Sequence, residues 1–171
     1  MPWSDHYRRS ARYNRWMNAQ LLNASLSLPS EQQQQDVGLA HGSLCGCWNH
    51  LLATDLLWLR RLQPIYPMLE ELNDLPPVKN DRQLCYPQLK ELQPVRERID
   101  DVLQRWCDLL RQDDARAVLV YGDDDELSVG LDRILQHLFN HHTHYRGQIS
   151  AVLQQLGQPT IEPDLLHAPL D

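Results

Sequence analysis

Four of the eight histidines, His137, His141, His142 and His144, fall within eight positions of a 171-residue chain. Imidazole at this density points first to ligation of a metal ion. Two side chains four residues apart on one helix can reach a common cation, as in the two-histidine helices of zinc proteases. Two such pairs exist here: His137 with His141, and His141 with position 145, which is Tyr145. At about 100° per residue, Tyr145 falls on the apolar stripe of Leu131, Ile134, Leu138, Ile149 and Val152. His141 lies about 40° to its side and still points inward; His137 and His144 lie about 80–100° away on the flank, and His142 about 60° away at the other edge. A metal site also needs a ligand from a second element. His50, in WNHLLATD, is the candidate, because it stands on a segment with few polar side chains. The alternative is a structural histidine whose ring nitrogens are satisfied by neighbours.

The elements that must position these residues read as four helical segments. The first covers residues 4–28, with Tyr13, Trp16, Met17, Leu21, Leu22 and Leu26 at three- and four-residue steps, and ends at Pro29. The second covers 39–62 and is apolar almost all round, as expected of a helix buried on more than one side. A proline-rich loop at 64–77 follows, with room for one helical turn. The third covers 81–111, with Pro87 and Pro94 predicting a late start or a kink and 95–110 as its secure part. Between the third and fourth, AVLVYGDDDELSVG predicts a small β-hairpin, turning at Gly122-Asp123-Asp124, or an irregular loop. The acidic run there lacks the spacing of a calcium-binding loop and reads as a solvated turn. The fourth segment starts near Ser128, taken as its N-cap, and runs to Leu156, where Gly157 and Pro159 end it. The tail is expected to wrap the surface. The fold expected is all-α, a four-helix bundle forming one domain over residues 1–171.

Composition narrows the function. The formal net charge is −7, with 16 Lys and Arg against 23 Asp and Glu and no basic cluster, which argues against nucleic-acid binding. No apolar leader and no stretch of about 18 apolar residues is present, so no membrane association is expected and the cytoplasm is the expected compartment. Cys45 and Cys47 form a CxC pair rather than CxxC; with Cys85 and Cys107 they read as reduced thiols, with a redox sensor at Cys45 and Cys47 as the weaker alternative. No nucleotide fingerprint occurs.

Three stretches, YNRWMN (13–18), GSLCGCWNHLLATDLLWL (42–59) and LQHLFNHHTHYRGQ (135–148), together resemble the DinB/YfiT-like superfamily of metalloenzymes, the damage-inducible bundle family rather than the polymerase sharing the name. The resemblance spans nearly the whole chain, in order. It implies an up-down-down-up four-helix bundle and a divalent ion, zinc or nickel, held by three histidines. The ligand from the second helix then falls on His50 and the first of the pair on the fourth helix on His141. The second of the pair falls on Tyr145, where the family usually has histidine, and Cys45 also stands where similar chains have histidine. Three outcomes stay open: Tyr145 binds as phenolate, His137 or His144 takes its place, or the metal site is weakened and His50, His141 and Tyr145 form a hydrogen-bonded pocket.

By the same resemblance the activity is a metal-dependent transfer, isomerisation or hydrolysis, with a low-molecular-weight thiol and a small electrophile as partners. The alternative is a non-enzymatic, stress-associated homodimer with a degraded site; the apolar second segment suggests the partner surface. Asp55, roughly opposite His50 on its helix, is expected to stabilise the fold rather than orient a ligand. Asn140 is expected to be either a donor to a ligand or a surface amide, Arg146 to make a structural ion pair, Gly147 to permit close helix packing, and Trp16, Trp48, Trp58 and Trp106 to be core aromatics.

Overall fold

The structure is a computed structural model that describes residues 2–122 and 127–169. Four long helices carry the architecture: α1 (Trp3–Leu26), α3 (Leu44–Leu62), α4 (Leu89–Leu109) and α5 (Leu131–Gln155), with a short α2 (Ser30–Gln34) after the first. α1 and α3 each pack against both α4 and α5, the arrangement of a four-helix bundle. The hairpin between the last two long helices is present as β1 (Val118–Tyr121) and β2 (Leu127–Gly130), antiparallel, with Val120 opposite Ser128. The acidic turn expected at 123–126 lies outside the described residues.

The core is leucine-rich and centred on α3. Leu44, Trp48, Leu51, Leu52, Leu56, Leu59 and Leu62 are all completely buried, so the chain itself covers the apolar surface of this helix. Its apolar character therefore does not call for a second copy. Trp48 and Trp106 are core aromatics, and the Trp48 indole donates to Ser25 on α1; Trp16 and Trp58 pack at the core's margin.

Two helix starts, those of α3 and α5, differ from the sequence reading, and the late start expected for α4 is observed. α3 begins at Leu44, not 39: Gly38 and Gly42 adopt positive φ, a tight turn closes between Leu39 and Gly42, and Ser43 caps the helix by accepting from the Gly46 amide. α4 begins at Leu89, after Pro87, with Pro94 tolerated early in the helix. Ser128 is not the N-cap of α5; its backbone pairs in β2, and Leu131 starts the helix by donating to Ala117. The tail crosses α1, held by the Tyr13 hydroxyl donating to the Pro163 carbonyl and Ser27 donating to Gln158.

Candidate functional site

The bundle brings His50 of α3 and His141 of α5 face to face. Their Nε2 atoms are 3.0 Å apart. His50 Nδ1–H donates to the Asp81 carbonyl at 2.7 Å, which fixes its tautomer and turns the Nε2 lone pair toward His141. The loop carrying Asp81 is anchored by Asn49, whose amide nitrogen donates to the Tyr86 carbonyl and whose oxygen accepts from the Tyr86 amide, both at 2.8 Å. The asparagine of the Asn49-His50 dipeptide thus builds the loop that orients the histidine.

Tyr145 completes the cluster, its ring 4.5 Å from His50 and 4.7 Å from His141 between centroids. A fourth member comes from the turn before α3: His41 stacks on His50, and its Nε2 lies 3.0 Å from the Tyr145 hydroxyl. The turn reaches this position because position 46 is glycine. A Cβ there would sit 1.9 Å from the His41 carbonyl oxygen, far inside contact distance. A cavity of about 310 Å³ opens beside His50 and His41, lined also by Asp81 and Arg82.

Burial favours the neutral form of His41, His137 and His141. Burial, helped by His50 and opposed by Asp55, lowers His141 to about 4. Burial, then His50, lowers His41, and burial lowers His137. Burial raises the Tyr145 phenol. Neutral imidazoles with free lone pairs are the form that binds a metal ion. At ordinary metal–nitrogen lengths of about 2.05 Å, two ligand nitrogens stand about 2.9 Å apart at a right angle and about 3.3 Å apart at the tetrahedral angle. The His50–His141 spacing therefore fits two positions on one ion. The buried His141 Nδ1 has no hydrogen-bond partner among the described residues. The third position is less complete: among the described residues no three His, Cys, Asp or Glu side chains converge in a group able to hold a metal, and the atom standing third is the Tyr145 hydroxyl.

The other histidines diverge. His137 packs edge-on against Trp58 with its ring 5.5 Å from His141. His144 is exposed and bonded to Gln148. His142 is the fully buried member, and its Nε2–H donates to Asp55 at 2.9 Å. The inward stripe of α5 is thus centred on Leu138, His142, Arg146 and Ile149, leaving His141 and Tyr145 half-buried at its edge beside α3.

Behind the cluster lies a buried polar network joining all four long helices. Arg96 of α4 contacts Asp55 of α3 at 2.6 Å and Asp100 at 2.9 Å. Burial alone would raise Asp55, but His142 and Arg96 outweigh it and hold its carboxyl far below the usual range. For Asp100 burial wins over Arg96 and the pKa is raised. Asn14 and Asn18 of α1 each donate to Asp100 and each accept from Arg146 of α5. Asp55 is therefore a fold-stabilising residue, as its helical direction predicts. Arg146 departs from expectation: among the described residues it makes no ion pair, only bonds to neutral oxygens. Gly147 is not at a close helix contact; a Cβ there would meet nothing within 4 Å. The cysteines are reduced, and burial raises Cys45 and lifts Cys47 to about 11, which disfavours the reactive thiolate.

Sequence comparison agrees with this geometry. The sequence model of the DinB family matches residues 3–169. Protein DinB of Bacillus subtilis (strain 168) is 22% identical over 157 residues, covering 89% of this chain and 87% of its own length. No solved structure matches. The chain belongs to the DinB family.

Proposed function

We propose that this chain is a metal-dependent enzyme of the DinB/YfiT-like type, holding zinc or nickel through His50 and His141 with Tyr145 as the third ligand. One observation carries the reading: the Nε2 atoms of His50 and His141 face each other at 3.0 Å, and His50 is oriented from behind by a backbone carbonyl. A bound ion would supply Lewis acidity to a small electrophile or to a low-molecular-weight thiol. The residues of the chain do the rest. Asp81 holds His50 in its tautomer, and Asn49 holds the Asp81 loop. His41 Nε2, 3.0 Å from the Tyr145 hydroxyl, is placed to accept a hydrogen bond from the phenol and so polarise its oxygen toward an ion. The cavity over His41 and His50 gives a substrate its approach. The test is the metal content of tag-free protein by elemental mass spectrometry after zinc or nickel supplementation, beside His50→Ala. We expect roughly one ion per chain, lost in the variant; equal content in both proteins would refute the assignment.

A second reading rests on Tyr145 standing in the third position, with no group of three His, Cys, Asp or Glu side chains able to hold a metal among the described residues. In it the four side chains form a metal-free hydrogen-bonded pocket, His50 with His141 and His41 with Tyr145, in a non-enzymatic protein. No ion bound by the native protein at any supplementation supports this reading over the first.

A further inference from the structure

A separate cavity of about 360 Å³ lies between α1 and α5, away from His50. Tyr13, Met17 and Leu21 of α1 form one wall, Arg146 and Ala151 of α5 the other, and Pro163 of the tail closes it. Arg146 is only 5% exposed. Its Nη1 donates to Asn14 and Asn18, and its Nη2 to Thr143 at 3.2 Å. A guanidinium has five N–H donors; among the described residues, Nε–H and one proton on Nη2 find no acceptor. The two buried carboxylates among the described residues, Asp55 and Asp100, are in direct contact with Arg96 instead. Arg146 reaches Asp100 only through the two asparagine amides. The core therefore fixes a guanidinium at the cavity wall without giving it a carboxylate of its own. The Tyr13 ring lies 5.3 Å from the guanidinium carbon and restrains it further.

We propose that this cavity binds a small amphipathic monocarboxylate, its carboxylate on Arg146 and its apolar body against Met17, Leu21 and Ala151. A planar guanidinium with two free donors matches a carboxylate's two oxygens. A single cation in an otherwise uncharged lining selects one negative charge, and the methionine, leucine and alanine surfaces select an apolar tail. The inference is independent of the metal reading, since none of the cavity's residues belongs to the His50 cluster.

The probe is octanoate, titrated calorimetrically into the full chain and compared with octan-1-ol and octylamine. Gly147→Leu is the blocking variant: the position is helical, lines the cavity and has open space around a Cβ. We expect octanoate to bind at least tenfold more tightly than either neutral or cationic analogue. In Gly147→Leu that affinity should drop at least tenfold, with circular dichroism, melting temperature and metal content unchanged. Equal binding of octanoate and octan-1-ol, no binding of octanoate, or undiminished octanoate binding by a folded Gly147→Leu would each overturn the proposal.

Discussion

His41 lies flat on His50, with ring centroids 3.8 Å apart and planes 18° from parallel. The two rings come from different elements, and what lets them meet is the missing side chain at Gly46, over which the His41 backbone passes. Gly46→Ala would normally favour a helix. Here the methyl group collides with a backbone carbonyl that cannot rotate away. We expect a loss of about 1–3 kcal/mol in urea unfolding and displacement of the 38–43 turn. The His41 imidazole signals should shift in two-dimensional NMR while those of His142, inside the core, stay in place. A stabilised protein with unchanged His41 signals would contradict the contact.

The Asp55–Arg96 contact makes a second prediction. Both side chains are 1% exposed, and the 2.6 Å approach is an ion pair whose Nη1–H is not aligned for a hydrogen bond. Removing Asp55 leaves the buried Arg96 with Asp100 alone and strips the buried His142 of its acceptor. Asp55→Ala should therefore cost about 3–5 kcal/mol. The measurement is chemical denaturation of the variant beside Asp101→Ala, whose ion pairs with Arg15 and Arg105 are half-exposed and should be worth under about 1 kcal/mol. Similar losses in the two variants would remove the network from its role in holding the bundle together.

Periodicity and proline placement were enough to read the four long helices and the hairpin, because both are local signals. The pair His50 and His141 is legible by two routes: helical spacing turns His141 inward, and the family resemblance assigns His50 on its apolar segment. What the sequence did not disclose depends on contacts distant along the chain. His41 looked like part of a helix; only the positive φ of Gly42 and the bare Gly46 make it a lid on His50. The sequence signal for this is Cys45-Gly46-Cys47, in which the glycine and not the cysteines shapes the site. His142 was placed at the edge of the stripe, yet its bond to Asp55 makes it the most buried histidine, because a buried carboxylate overrides a 60° argument from apolar residues alone. Arg146 was expected to pair with a carboxylate; both available carboxylates were already held by Arg96.

The imidazole cluster gives the fold a pH dependence of defined sign. Burial lowers His141 to about 4 and lowers His41 and His137 as well. A base with its folded pKa below the unfolded value of about 6.5 binds fewer protons folded than unfolded between the two values. Its contribution is complete above about pH 6.5 and is lost as pH falls toward 4. Asp55, depressed, continues the loss at lower pH, whereas Asp100, raised, works against it. Chelator-treated protein should melt progressively lower from pH 7 to 4.5, with His141 carrying part of that loss. His141→Gln should flatten the profile in that window. An unchanged slope in the variant would show that His141 is not the group titrating.

Tyr145 decides between the two functional readings, and substitutions at that position separate them. Burial raises its phenol, so forming phenolate costs more here than in water unless an ion and His41 assist. Imidazole carries no such cost, because it binds in the neutral form already favoured in this cluster. Tyr145→His should therefore tighten zinc or nickel binding at least tenfold, by competition against a chromophoric chelator. Tyr145→Phe keeps the ring and removes the oxygen. If the phenol is the third ligand, that variant should bind about 10–100-fold more weakly than the native chain. If native protein and Tyr145→Phe are both metal-free while Tyr145→His takes up an ion through His50 and His141, the proposed native centre is excluded and the pocket is a hydrogen-bonded one.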